Sequence, residues 1–160
     1  MKQKIFILMV VLQLGVFLAM IYEKSNIVRK GTEYKFRITY YDPYDFMRGN
    51  YLRLSLVQSE VDEIGDTDPK DKKGYFVIEN HKESAKIIRF SKKKPKSSDF
   101  IRGELSYSYS GKHIIKTPFE RYYIEQKLAP EMEKKLRNSN EAYLVVKVYK
   151  GKYIIESIEI

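Results

Sequence analysis

Cysteine is absent from this 160-residue chain. That excludes disulfides, thiol catalysis and cysteine-ligated metal centres together. It carries no message about compartment, because a domain of this size can bury enough core without covalent staples. Tryptophan is also absent, and histidine occurs only as His81 and His113. Both lie beside hairpin-turn signals, and two histidines so placed do not make a metal site. The acidic segment 60–73 lacks the D-x-[DN]-x-[DN]-G run and twelfth-position Glu of an EF-hand loop, so it reads as an exposed loop. No catalytic residue, metal or cofactor is expected.

Charge and tyrosine are plentiful. Thirty basic side chains face 21 acidic ones, for a net charge of +9. That balance suits an anionic lipid surface, a cell-wall polymer or nucleic acid, but it is also the ordinary state of a solvated surface. The densest basic run is 91–98, SKKKPKSS. Pro95 and self-repulsion keep it off a sheet, and it reads as a basic loop. Nucleic acid is not the partner expected for a domain outside the cytoplasm. The 14 tyrosines fall mostly in strand-like runs, where β-propensity alone accounts for them.

One long apolar run stands at the N-terminus. Residues 5–22 contain only Gln13 as a polar side chain. As a helix they would extend roughly 27 Å, close to the hydrocarbon thickness of a bilayer. The run exceeds the usual core of a cleaved signal peptide, and no A-x-A-like site precedes Glu23. An uncleaved signal-anchor is expected, with a cleaved signal as its rival. Lys2 and Lys4 on one side nearly balance Lys24, Arg29 and Lys30 on the other. A short basic head before a first apolar helix favours the N-terminus inside and the domain outside. The expected organisation is an anchor over 1–23, a tether over 24–31 and a domain over 32–160.

The domain reads as short strands. Alternation marks 32–41 and 50–56, with Tyr34, Phe36, Ile38, Leu52, Leu54 and Leu56 on one face. Further strands are expected over 75–79, 85–90, 100–110, 113–124, 142–149 and 153–160. Gly103 marks a bulge or a close backbone approach. The last two strands form a hairpin across Lys150-Gly151-Lys152. One helix is expected over 131–137, with Pro130 at its start, acids early and bases late. About eight strands and one short helix point to a mainly β fold, an antiparallel barrel or sandwich, behind one N-terminal transmembrane helix.

Between the first two strands lies a dense polar loop. Residues 42–56 read DPYDFMRGNYLRLSL, and residues 118–134 read PFERYYIEQKLAPEMEK. These two blocks resemble the signature and second common block of the GDYXXLXY family, and the resemblance runs from about Thr32 to Ile160. It departs from the pattern at Asn50, where the family has the Asp of its GDY triplet, and at Leu56, where it has a final Tyr. The resemblance implies a membrane-tethered domain and supplies no reaction.

Asp42, Asp45, Arg48, Gly49, Asn50 and Tyr51 form the leading candidate binding cluster, extended by Glu120, Arg121, Tyr122 and Glu125. Arginine's planar fork would grip a carboxylate or phosphate. The competing reading has the same groups capping turns and pairing with one another. The functional expectation is a non-catalytic binding or accessory domain at the cell membrane, with a multi-pass membrane protein as a partner class. The alternative is a membrane-bound hydrolase laid out like a type I signal peptidase. The Ser/Lys dyad context of those enzymes does not occur in the sequence.

Overall fold

A computed structural model describes residues 2–40, 51–58, 60–61, 63–64, 72–82, 84–109, 112–119, 121–125 and 127–160. The chain opens with α1, Lys2–Lys30. Its large apolar side chains from Ile5 to Tyr22 are exposed all round, and the helix is long and apolar enough to span a membrane. Residues 24–30 continue the helix without a break.

Eleven strands follow in the described residues. They are β1 Thr32–Tyr40, β2 Tyr51–Leu56, β3 Glu60–Val61, β4 Glu63–Ile64, β5 Lys73–His81, β6 Ser84–Ser91, β7 Phe100–Tyr109, β8 Lys112–Lys116, β9 Arg121–Tyr123, β10 Ala142–Tyr149 and β11 Lys152–Glu159. A second helix, α2, spans Ala129–Asn138. The expected helix is present, as is the mainly β, largely antiparallel architecture.

One sheet has the order β11-β10-β1-β2-β9 and the other β3-β8-β7-β5-β6-β4. The second sheet closes on itself. Its two outermost strands, β3 and β4, are one residue apart in sequence. β3 pairs antiparallel with β8, while β4 pairs parallel with β6. β3 and β4 therefore occupy the two edges of one sheet, which removes exposed ladder groups there. Gln58 extends the seam: its side-chain amide donates to the Ile87 carbonyl at 2.7 Å and accepts from the Ile87 N–H at 2.9 Å.

Two expectations are corrected here. The start of segment 60–73 is strand, and Val61 is 1% exposed. Its flanking acids advertise solvent, but pairing from two sides holds it in the sheet. The run 113–124 is two strands, not one. Pro118 has no N–H for a ladder, and at Thr117-Pro118-Phe119 the chain crosses from the closed sheet to the five-stranded one.

The main core lies between the sheets. Tyr34, Phe36 and Ile38 of β1, Leu52, Leu54 and Leu56 of β2, and Leu144, Val146 and Val148 of β10 meet Phe76, Ile78, Ile87, Phe90 and Ile101 of the closed sheet. Strand alternation delivers most of these sets to one face, and in β6 a register shift between Ile87 and Arg89 lets Ile87 and Phe90, three residues apart, share it. Leu136 of α2 is buried in the same cluster, with Met132 packed beside it. Gly103 is the expected close approach: an added Cβ would fall 2.2 Å from the Phe76 ring. Lys150 and Gly151 both have positive φ, 51° and 80°, as a two-residue hairpin turn of this hand requires.

The outer face of the five-stranded sheet carries α1. Val145 and Ile27 are buried at 3% and 2% exposure, apart from the main cluster. Glu23 of α1 pairs with Lys152 of β11 at 2.5 Å, and the Gly31 N–H closes the helix on the Ile27 carbonyl at 2.8 Å. Residues 24–30, read from sequence as a tether, are thus a docked helical end.

Candidate functional site

The two sequence blocks meet in the fold. β2 and β9 are antiparallel neighbours, with Tyr51 opposite Tyr123, Leu52 opposite Tyr122 and Arg53 opposite Arg121. The start of β2, directly after the polar loop, therefore lies beside Arg121-Tyr122-Tyr123. Asp42, Asp45, Arg48, Gly49, Asn50 and Glu120 lie outside the described residues. Glu125 serves the chain at its backbone: its carbonyl accepts from the N–H groups of Leu128 and Ala129 at 3.0 and 3.1 Å, opening the turn into α2.

Arg121 and Tyr122 line a cleft of about 950 Å³. Its walls come from four parts of the chain: Glu23, Lys24 and Ile27 of α1; Arg102 of β7; Lys116 at the end of β8 and residues 117–118 with 121–123 of β9; and residues 151–155 of the last hairpin. Among the described residues the lining holds five cationic side chains, Lys24, Arg102, Lys116, Arg121 and Lys152, and one carboxylate, that of Glu23. Lys152 already engages that carboxylate. Lys24, Arg102 and Lys116, which have no ion pair among the described residues, lend the concavity positive potential.

Aromatic packing fixes the floor. Phe119 is 1% exposed and meets Tyr153 edge-on, with ring centroids 4.9 Å apart, and Phe36 at 5.3 Å. The Tyr153 hydroxyl donates to the Pro118 carbonyl at 3.1 Å. Burial raises the Tyr153 pKa, so the phenol stays neutral and keeps that hydrogen bond. This contact draws β11 against the segment leading into β9, so the two edges of the five-stranded sheet face each other across the cleft. Tyr123 stands at the rim, 70% exposed.

Four cleft cations, Lys24, Arg102, Lys116 and Lys152, were not among the residues singled out from sequence. They lie on different elements far apart in the chain, and only the folded sheets bring them together. The one local signal was Lys24, directly beyond the apolar run. Among the described residues no group of three or more His, Asp or Glu side chains could hold a metal ion.

Fold and cleft together define a strand-rich domain fixed to the end of a helix of membrane-spanning length. The chain belongs to the GDYXXLXY family, whose model, described as GDYXXLXY protein, matches residues 13–158. No curated relative and no solved structure matches the chain.

Proposed function

We propose that this protein is a membrane-anchored binding or accessory domain of the bacterial cell envelope, held at the extracytoplasmic face by α1 and acting beside a membrane partner. The observation that carries the reading is the junction. The helix passes from its apolar exposed stretch into the domain without a flexible link, and Ile27 and the Glu23–Lys152 pair lock it to the sheet. A domain so fixed presents one side to the bilayer, and the cleft wall begins at Glu23 and Lys24, directly after the last apolar residues.

The domain works by position. Anchoring replaces bulk concentration with a high effective concentration next to the bilayer. The recognition face is the Asp42–Tyr51 loop with the Phe119–Glu125 segment, and a multi-pass membrane protein is the partner class that such a position serves. Arg29 and Lys30 occupy the last turn of α1, where cations favour the helix dipole. The charges flanking the span nearly balance, Lys2 and Lys4 against Lys24, Arg29 and Lys30, and the short basic head before the first apolar helix supports an N-terminus inside. Protease shaving of intact cells carrying a tag after Ile160 tests the placement. Loss of the tag is expected; a tag protected until the cells are lysed overturns it.

A further inference from the structure

We infer that the cleft between α1, β9 and the last hairpin binds the phosphate of an anionic lipid in the leaflet the domain faces. The inference rests on the bilayer-facing placement proposed above and adds the ligand.

Depth is the first argument. Lys24 is two residues beyond Tyr22, about 3 Å along the helix axis, and Ile27 about 7.5 Å. The headgroup layer occupies roughly the first 5–7 Å outside the hydrocarbon core. The α1 wall of the cleft, Glu23, Lys24 and Ile27, therefore lies at headgroup depth, and the cavity opens where lipid phosphates are.

Charge is the second. Among the described lining residues the five cations outweigh the one carboxylate, and Lys152 neutralises that one. Lys24 and Arg102 are exposed, as is Lys116. None of these three has an ion-pair partner among the described residues. Ammonium and guanidinium groups converging from three separate elements suit a phosphate oxyanion, which accepts several charge-assisted hydrogen bonds at once.

The third argument is the composition of the rest of the wall. Tyr122, Tyr123, Tyr153, Ile154 and Ile155 share the cavity with the cations. Tyrosines belong at the membrane–water boundary, with an apolar ring and a polar tip. The isoleucines and rings would cover the glycerol and first acyl carbons while the cations hold the phosphate. A soluble polyanion has no use for that apolar half. Lys93 and Lys96 of the basic loop do not line this cleft and stand as the internal control.

The test uses the full chain reconstituted in nanodiscs. Discs of phosphatidylcholine are compared with discs containing a minor fraction of phosphatidylglycerol, and co-purified lipid is quantified by native mass spectrometry after gentle release. Retention of phosphatidylglycerol over phosphatidylcholine is expected. Arg102→Ala with Lys116→Ala should weaken that retention roughly 30-fold, the loss expected for two cations at an anionic surface. Lys93→Ala with Lys96→Ala should leave it unchanged.

Should the cleft pair lower the thermal midpoint, Lys24→Gln, on an exposed helix surface, gives the same reading with a smaller loss. Equal retention of the two lipids overturns the inference, as does unchanged retention in the cleft variants. Inorganic phosphate that binds the detergent-solubilised chain as tightly as the lipid does would assign the cleft to a soluble anion and overturn it too. A spin-label distance between Tyr22→Cys and Lys86→Cys, unique sites in a cysteine-free chain, separates the two levels. A single narrow distance without lipid selectivity sinks the ligand alone. A broad one sinks the fixed placement beneath it.

Discussion

Single side chains decide how tightly the closed sheet packs, and Gly103 is the sharpest case. The Phe76 ring lies over it, fully buried and tilted against the Phe90 ring with centroids 5.2 Å apart. A methyl group at 103 would need the space the ring occupies, and the ring has no open side. Gly103→Ala should destabilise the domain by about 2–3 kcal/mol, the usual scale for overpacking, read from the urea midpoint. Gly15→Ala is the contrast, because an added Cβ there meets nothing within 4 Å; the same measurement should hardly move. Tyr34 carries a second residue-scale expectation. Its hydroxyl donates to the Asp99 carboxylate at 2.8 Å, which ties β1 of one sheet to the entrance of β7 in the other. Burial, then that hydrogen bond, raises its pKa above the ordinary phenol value. The neutral form is thus favoured in the fold. Above pH ~10 the unfolded chain releases this proton while the folded one keeps it, so stability falls as pH rises. Tyr34→Phe should cost about 1–2 kcal/mol at pH 7 and flatten the loss between pH 10 and 11.5. Equal alkaline slopes in the two proteins would remove Tyr34 from that role.

At the scale of elements, legibility followed the length of local pattern. β1, β2 and the β10–β11 hairpin could be read because alternation runs through six or more residues and Gly151 punctuates the turn. α2 could be read from Pro130 and from Met132 and Leu136 one turn apart. β3 and β4 could not, because two-residue strands contain no period and their reason to exist is a partner on each side. The break at Pro118 was visible as a missing donor, but its meaning, a crossing between sheets, is non-local. Gln58 belongs to the same class: a lone polar residue whose work appears only in the seam. Its amide satisfies both backbone groups of Ile87, a residue 1% exposed. Gln58→Ala leaves a buried donor and a buried acceptor without those bonds and should cost about 2–4 kcal/mol. Hydrogen exchange at Ile87 should accelerate well beyond the rest of β6. If protection there is unchanged, the closure does not depend on Gln58.

The molecule as a whole divides into an apolar helix and a cationic domain, and on the proposed placement the two would attach to a membrane by different physics. Composition alone announced both parts, but not how they join. Arg121 and Tyr122 were named from sequence and do line the cleft, whereas Lys24, Arg102, Lys116 and Lys152 reach it only because the five-stranded sheet curls and α1 docks on its back. No window of sequence contains that geometry. The two modes of attachment separate under salt. At 1 M ionic strength the screening length is about 3 Å, so a positive surface no longer holds an anionic bilayer. Burial of the exposed apolar side chains of α1 is not weakened by screening, because it arises from water and not from charge. The full chain should therefore stay in the membrane pellet in 1 M salt. A chain beginning at Glu23 loses only Lys2 and Lys4 among its charges, so it should bind anionic vesicles at low salt and leave them at high salt. Release of the full chain by salt would mean that α1 does not span the bilayer and that the cleft charges alone hold the domain there.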